Sequence, residues 1–222
     1  TGLRPEVTAA AGRGPLFYEP AKRNHGLPRD PFKACVVPRP IGWVTTQDAE
    51  GRINLAPFSF FNAIAGEPPM VCYAPGGLKA DGSRKDSLAN ARATGEFVCN
   101  VATWDLREAM NLTSAGLPGG SNEAEQAGLE LLPSTLVRPP RVAASPIHLE
   151  CKVWQILDLP DDSRGEPNNL VIGTVIGIHI DEAVLTDGRV DVTKFKPIAR
   201  LGYMDYAVVE SVFSMRRPPG GD

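Results

Sequence analysis

A segment of nine residues alternates polar and aromatic side chains around a proline, a pattern that can hold a flat ligand with polar edges. The segment reads NLAPFSFFN and covers residues 54–62. In a strand, alternate residues face opposite sides, so Asn54 and Ala56 share one face while Pro57 and Ser59 share the other. Pro57 interrupts the ladder, which leaves nearby backbone groups free for a ring edge, and the Ser59 hydroxyl can donate or accept a hydrogen bond. Composition alone favours an ordinary bulged core strand.

A second segment brings two cations to the beginning of a predicted helix. Residues 83–88 read SRKDSL, so Arg84 and Lys85 precede a first turn that contains Ser87. Free N–H groups at a helix N-terminus favour anions, and adjacent cations with a hydroxyl complete a phosphate seat. The residues alone favour an exposed charged loop, because surface cations beside helices are common. The charge of Asp86 also counts against a phosphate unless this carboxylate caps the helix.

Other reaction chemistries find no support in the sequence. It contains no Gly-x-Gly-x-x-Gly fingerprint, no phosphate-binding Gly-x-x-x-x-Gly-Lys-Ser/Thr loop and no Gly-x-Ser-x-Gly elbow. The three histidines, His25, His148 and His179, are scattered in the chain. His148 and His179 lie within predicted strands and are predicted to be structural. The cysteines are isolated in the chain, which predicts buried, reduced thiols rather than a disulfide framework or a zinc site: Cys35, Cys72, Cys99 and Cys151. We therefore assign no catalytic side chain and no metal ligand.

The elements that must position these segments are mostly short strands. A turn at residues 48–51 separates two β-forming runs and predicts a hairpin. A helix is predicted from Asp86 to Thr94, with Gly95 as its stop. Residues 147–157 alternate and predict a half-exposed strand with His148 and Glu150 on its outer face. These patterns predict a mainly β fold, an antiparallel barrel or sandwich with two or three inserted helices.

Length and charge limit the domain organisation and the partners. The 222 residues can bury one substantial core, and 42% apolar residues argue against a disordered chain. We predict an N-terminal arm over residues 1–30, one domain over residues 31–215 and a flexible tail over residues 216–222. A net charge of −3 without a basic stripe argues against nucleic acid or membrane partners. No apolar run is long enough to span a bilayer, so the cytoplasm is the predicted location.

Read in order, five motifs make the sequence similar to the flavin reductase-like family of FMN-binding split barrels, a group that includes flavoredoxins. The motifs are RPIGWVTT at residues 39–46, the segment at residues 54–62, EPPMV at residues 67–71, KDSLAN at residues 85–90 and GEFVCN at residues 95–100. The leader at residues 25–33 and ARLG at residues 199–202 extend the likeness over residues 25–206. The resemblance implies a six-stranded Greek-key split barrel that forms a homodimer with FMN near the subunit interface.

The resemblance also implies which residues hold the cofactor. The strand from Asn54 to Ser59 would supply backbone and hydroxyl contacts to the flavin ring, through Asn54, Ala56, Pro57, Phe58 and Ser59. The ribityl chain and phosphate would be held by Asn62, Arg84, Lys85 and Ser87. Further contacts are expected from Thr45 and Thr46, and Arg200 with Tyr203 would close over the ring.

The implied activity is hydride transfer from NAD(P)H, as co-substrate, to FMN, with reduced flavin or its electrons passed to a partner monooxygenase or another electron acceptor. This step depends on orientation of two rings more than on an acid, base or nucleophile. Two alternatives stay open: a flavoredoxin-like carrier whose bound FMN is reduced by a partner protein, and a non-catalytic flavin-binding protein. The sequence does not choose between NADH and NADPH, name the acceptor or pathway, or say whether FMN stays bound or exchanges.

Overall fold

Strands dominate the regular structure of this chain, for which a computed structural model describes residues 14–116 and 121–218. Strands account for 37% and helices for 16% of the structure, which confirms the predicted mainly β class. The helices are short: α1 Phe32–Cys35, α2 Asp86–Thr94, α3 Arg107–Leu112, α4 Glu123–Gln126 and α5 Val192–Phe195, with 3-10 turns at Pro20–Lys22 and Glu182–Val184. The predicted arm and tail fall partly outside the described residues, and the domain boundaries stay predictions.

The strands follow one another through the chain with few insertions. They are β1 Arg39–Pro40, β2 Gly42–Gln47, β3 Ile53–Phe58, β4 Phe61–Gly66, β5 Pro69–Tyr73, β6 Glu96–Val101, β7 Leu131–Leu132, β8 Arg141–Val142, β9 Ile147–Leu159, β10 Asn168–Ile180, β11 Leu185–Thr186, β12 Arg189–Val190, β13 Ile198–Arg200 and β14 Tyr206–Val208. The predicted hairpin is β2 with β3, paired from Gly42 opposite Phe58 to Gln47 opposite Ile53.

The main sheet closes on itself at one short link. Its seven strands are antiparallel and lie in the order β3-β2-β6-β9-β10-β5-β4, one more strand than the resemblance implies. The edge strands β3 and β4 are consecutive in the chain and are separated only by Ser59 and Phe60. The two edges must therefore meet at this link, and the sheet forms a barrel whose edges are joined covalently but are not paired.

A glycine permits the close approach at this seam. A Cβ atom at Gly42 would lie 2.5 Å from the Phe61 ring, so any larger residue would push the first residue of β4 away from β2. Phe61 then packs against the barrel core, beside Tyr73 and Phe58. Gly42, the last residue of the Arg39-Pro40-Ile41-Gly42 sequence, is thus required by packing at the point where the barrel closes.

The chain has apolar packing on both faces of β2. Trp43 and Val44 are neighbours on this strand and are both fully buried. Val44 belongs to the cluster inside the barrel, whereas Trp43 packs with Leu55 and Met110 in a second cluster beneath α3 and α4. Side chains on β2 therefore have little access to solvent on either face.

The expectation of a half-exposed strand over residues 147–157 is wrong for its first half. His148 and Glu150 are both buried. The Glu150 carboxylate accepts hydrogen bonds from the backbone N–H groups of Thr135 (2.8 Å) and Leu136 (2.6 Å), so the segment before β8 covers this face. His148 Nε2 lies 2.8 Å from the Val142 carbonyl oxygen, and His179 Nε2 lies 2.5 Å from Glu150 Oε1. Both histidines have structural partners, as expected.

The thiols only partly match the expectation of burial. All four cysteines are free; Cys99 and Cys151 are buried and Cys72 is half-buried, but Cys35 is exposed at the end of α1. Within the described ranges, no three His, Cys, Asp or Glu side chains are arranged to hold a metal ion. The helices of those ranges are also too short or too polar to cross a membrane.

Candidate functional site

The two segments that the sequence singles out meet at one cleft of about 200 Å³, although about 30 residues separate them in the chain. Strand β3 forms one wall, the beginning of α2 forms a second, and residues after α3 form a third. The lining residues are Asn54, Ala56, Pro57, Phe58, Lys79, Lys85, Asp86, Ser87, Thr113, Ser114, Ala115, Gly116 and Glu123. Six of the residues predicted to bind the cofactor therefore lie together: Asn54, Ala56, Pro57, Phe58, Lys85 and Ser87.

Asn54 has a buried hydrogen-bond donor that the protein does not use. The residue is 7% exposed, and its Nδ2 has no partner among the described residues. An unmade hydrogen bond of a buried amide costs about 1–3 kcal/mol, so such groups usually have a partner of some kind. An acceptor atom on a ligand in this cleft would remove that cost. This is the observation that best indicates a binding site.

The beginning of α2 carries the positive end of the cleft. Lys85 is the residue before the helix, and within residues 14–116 and 121–218 it makes no ion pair. Ser87 is buried in the first turn, where its backbone carbonyl accepts a 3.1 Å hydrogen bond from the Tyr73 hydroxyl. Tyr73 thereby fixes the helix N-terminus to the barrel core. The N–H groups of the first turn, the Lys85 ammonium and the Ser87 hydroxyl are together suited to a phosphate.

Asp86 does not cap the helix with its side chain, as the sequence had suggested it could. Its carboxylate instead accepts a 2.8 Å hydrogen bond from the Lys79 ammonium. Both partners are largely shielded from solvent, with Lys79 the more covered. The negative charge that would oppose a phosphate here is therefore balanced by a neighbouring cation.

Glu123 also lines the cleft, although no sequence pattern singled it out as a site residue. Its Oε2 accepts a 3.0 Å hydrogen bond from the backbone N–H of Leu55. Burial raises the pKa of Glu123, and the hydrogen bond from Leu55 only partly offsets this. The only local signal is Asn122, whose side chain caps α4 and so sets the position of Glu123.

Thr45 and Thr46 do not line the cleft. Both are fully buried on β2, where the Thr45 hydroxyl accepts a 2.8 Å hydrogen bond from Asn100 Nδ2 and the Thr46 hydroxyl a 3.1 Å one from Asn90 Nδ2. These bonds tie β2 to β6 and α2. Their contact with a flavin stays a prediction.

Three further predicted contacts are not among the residues that line the cleft: Ser59, Asn62 and Arg84. Ser59 is half-buried in the link that closes the barrel, one residue after the lining residue Phe58. Asn62 is exposed on β4, and its Oδ1 accepts a 3.0 Å hydrogen bond from the N–H of Ala63. Arg84 is exposed next to Lys85. Their roles also stay predictions.

Arg200 lies in a different cavity, of about 310 Å³, between α3 and β13. Its guanidinium lies 4.5 Å from the centre of the Tyr206 ring and donates to the Tyr203 carbonyl oxygen. Tyr203 has a φ of 58°, a conformation that these contacts help to hold. Within one chain, Arg200 and Tyr203 are thus not brought to the cleft beside β3.

Comparison with known proteins identifies the family. A family model described as the flavin reductase like domain matches residues 34–205, well over half of the 222 residues. This chain belongs to the flavin reductase-like family. The predicted split barrel is thereby confirmed as well. A curated relative, the uncharacterized protein BH2278 of Halalkalibacterium halodurans, is 39% identical over 185 residues, which are 83% of this chain and 88% of that protein.

Two solved structures that resemble this chain are 30% identical to it. Nitrilotriacetate monooxygenase component B from Bacillus cereus superposes with a TM-score of 0.81 over 92% of this chain and 100% of that chain. The 2-nitrobenzoate 2-nitroreductase NbaA of Pseudomonas fluorescens superposes with a TM-score of 0.74 over 86% and 90%. The fold of the flavin reductase-like family supports a flavin-related oxidoreductase or electron carrier function for this chain.

Proposed function

We propose that the cleft between β3 and α2 binds FMN and that the protein catalyses reduction of this flavin by NADH or NADPH. One observation carries the binding part of the proposal: the unpartnered Asn54 donor lies in the same cleft as Lys85 and Ser87 at a helix N-terminus. A ligand that uses both ends must combine a hydrogen-bonding ring edge with a phosphate. FMN has both features, and riboflavin has only the first.

Each end of the cleft has a distinct task in this proposal. Lys85, Ser87 and the first-turn N–H groups of α2 hold the phosphate, with Arg84 reaching from the loop and Asn62 holding the ribityl chain. Asn54 Nδ2 donates to an acceptor at the ring edge. The ladder continues through Pro57, which lies opposite Trp43, but β3 is an edge strand, so carbonyl groups on its unpaired side and the Ser59 hydroxyl are available to polar atoms of the ring.

The protein supplies orientation and electrostatic stabilisation rather than proton transfer. When bound, FMN would accept a hydride, that is, two electrons and a proton, from the nicotinamide. No side chain of the cleft is placed as a nucleophile paired with a base among residues 14–116 and 121–218, and the step requires none. Ser59 and Asn54 donate hydrogen bonds to the ring as it gains negative charge, and the barrel wall limits access of water to one face.

The physiological acceptor is proposed from the two solved relatives. One is component B of a monooxygenase, which supports transfer of reduced flavin or electrons to a partner monooxygenase. The other is a nitroreductase, which supports direct reduction of an organic acceptor. The second candidate function is a carrier whose FMN is reduced by a partner protein. We also propose a homodimer located in the cytoplasm.

Exposed apolar side chains on the barrel support the homodimer. Trp154 on β9 is 64% exposed, and Ile176 and Ile178 on β10 are exposed as well. Large side chains of this kind on adjacent strands are typical of surfaces that another protein covers. A second subunit could also bring its Arg200 and Tyr203 to a flavin that they do not reach within one chain.

The binding part of the proposal is tested by calorimetric titration with FMN and riboflavin. We expect Lys85→Ala to weaken FMN binding about ten- to a hundredfold, because a charge-assisted hydrogen bond contributes about 1.5–3 kcal/mol, and to weaken riboflavin binding much less. Arg189→Ala, which removes one exposed cation on β12, is the matched control. Equal losses for the two ligands would place the phosphate elsewhere.

A further inference from the structure

A cavity of about 570 Å³ lies beside the barrel seam, and Phe60, the second residue of the link that closes the barrel, forms part of its wall. Phe60 directly follows Ser59, and its carbonyl oxygen accepts a 2.9 Å hydrogen bond from the N–H of Ala74, another residue of the cavity wall. In the link that closes the barrel, Ser59 is the proposed contact to the flavin ring, and the next residue, Phe60, lines this cavity. No residue predicted to bind FMN lines it.

The cavity contains an aromatic face with a cation above it. The Phe60 ring is 45% exposed, and the Lys33 ammonium lies 5.7 Å from its centre. Lys33 forms no ion pair within the described part of the chain. The other cation of the wall, Arg164, is already paired with Asp162 at 3.1 Å and Glu166 at 2.9 Å. Lys33 is therefore the uncompensated charge of this cavity.

The segment that carries Lys33 is held rigidly. The guanidinium of the buried Arg39 donates to the carbonyl oxygens of Lys33 and Val36, the latter at 2.6 Å, and to that of Leu201 at 2.8 Å. Arg39 also lies 5.9 Å from the centre of the Phe60 ring. The Lys33 backbone and the Phe60 ring are thus fixed relative to each other before any ligand binds, which lowers the cost of ordering a site.

Asn169, which lines the same cavity as Lys33, has an unused hydrogen-bond acceptor. Asn169 is 1% exposed and its Nδ2 donates to Asp158 at 2.6 Å, but its Oδ1 has no partner anywhere in residues 14–116 and 121–218. The buried Asn169 oxygen lacks a hydrogen-bond donor, just as the buried Asn54 Nδ2 in the first cleft lacks an acceptor. The exocyclic amine of a purine is a donor of the required kind.

We infer that this cavity binds the adenosine diphosphate portion of the reducing nucleotide. Phe60 offers a face for the adenine ring, Asn169 an acceptor for its amine and Lys33 a cation for the diphosphate. The nicotinamide of a nucleotide held there would reach the flavin past Ser59, the residue next to Phe60 in the link. This inference rests on the proposed function, because it assigns a site to the co-substrate of that reaction.

The test compares two reductants that share the reacting ring. NADH carries the adenosine diphosphate portion, whereas N-benzyl-1,4-dihydronicotinamide does not. In anaerobic stopped-flow reduction of the FMN-loaded protein, Lys33→Met and Phe60→Leu are each expected to raise the half-saturating NADH concentration by about tenfold. The value for the benzyl compound stays unchanged, and Arg189→Met is the control for net charge. A parallel calorimetric titration with ADP-ribose is expected to show the same weakening by Lys33→Met.

The outcomes separate the two proposals. If NADH reduces the wild type but both variants keep its half-saturating concentration, the adenosine site is wrong and the proposed function stands. Equal shifts for NADH and the benzyl compound would also overturn the site, since the substitutions would then act on the flavin. If no nucleotide reduces the wild type, the proposed function fails. In that case, ADP-ribose binding that is weakened by Lys33→Met still supports the site. If the wild type does not bind ADP-ribose either, the site is overturned as well.

Discussion

The Lys79 ammonium lies 2.8 Å from the Asp86 carboxylate, beside the first turn of α2. This pair removes the main electrostatic objection to a phosphate at that helix, because Asp86 would otherwise place a negative charge next to Lys85. It also leaves Lys85 as the cation available to a ligand. The two members of the pair are therefore expected to have opposite effects on FMN binding when each is neutralised.

Neutralising Asp86 should strengthen FMN binding and neutralising Lys79 should weaken it. Asp86→Asn leaves two unpaired cations near the phosphate, whereas Lys79→Met leaves an unpaired carboxylate there. We expect changes of about three- to tenfold in each direction in the FMN dissociation constant, since the small remaining solvent contact of both side chains moderates their charge. Riboflavin binding, measured in parallel, should change little. If both variants weaken FMN alike, the pair acts on the fold of α2 rather than on charge.

The stability of the Glu123→Gln variant, measured relative to the wild type, should increase as the pH rises from about 4 to 7. Burial raises the pKa of Glu123, so the folded state holds its proton more tightly than the unfolded state. Between the unfolded and folded pKa values of this group, the unfolded chain binds fewer protons at Glu123, so the contribution of Glu123 to the free energy of unfolding falls with rising pH. The glutamine keeps an acceptor for the Leu55 N–H and does not ionise.

Urea denaturation at both pH values measures this difference. Glu125→Gln, an exposed carboxylate on the same short helix, is the control and should show no such trend. The Glu123 variant should also bind FMN more tightly at pH 7, because a negative charge is removed from the cleft. A difference from the wild type that is the same at both pH values would contradict the burial argument.

Thr45→Val separates a structural role from contact with flavin. The hydroxyl of Thr45 accepts from Asn100 Nδ2, which also donates to the Trp43 carbonyl oxygen at 2.8 Å. Loss of one buried hydrogen bond should lower the free energy of unfolding by about 1–2 kcal/mol, with FMN affinity unchanged. Denaturant titration and FMN titration on the same samples measure both quantities. A large loss of affinity at undiminished stability would instead favour the flavin contact that the resemblance implies.

The homodimer should be present at micromolar concentration. Sedimentation velocity is expected to show one species with twice the mass of the chain, because a second subunit would cover exposed apolar side chains such as Trp154 and Ile178. Trp154→Glu should shift the distribution toward monomer if β9 lies in that interface. A wild-type monomer that binds FMN with full affinity would refute the dimer.

Sequence patterns within a few residues predicted helix and strand boundaries well. The features that they did not predict depend on contacts between residues that are far apart in the chain. Helix α2 runs from Asp86 to Thr94 as predicted, because Gly95 takes a left-handed conformation at φ 70° and ends it. The burial of Glu150 could not be foreseen, since the backbone donors that satisfy it precede it by about 15 residues in a segment without a pattern. Glu123 was missed for the same reason: its partner, Leu55, is 68 residues away.

The candidate site shows the same division. Each half was found from its own residue types, Asn54 to Ser59 on one side and Lys85 with Ser87 on the other. Their meeting in one cleft follows from the barrel, in which Tyr73 on β5 fixes the carbonyl of Ser87. No local sequence pattern specifies that contact. Among the sequence arguments, only the family resemblance predicted that the two segments form one binding site.

Anaerobic stopped-flow mixing of the FMN-loaded protein with NADH or NADPH tests the central proposal most directly. We predict that a reduced nucleotide bleaches the flavin absorbance of the wild type. Ser59→Ala should slow this reduction about tenfold while changing FMN affinity less, because its hydrogen bond strengthens as negative charge develops on the ring. If neither nucleotide bleaches the flavin, the reductase proposal is contradicted and a carrier reduced by a partner protein takes its place.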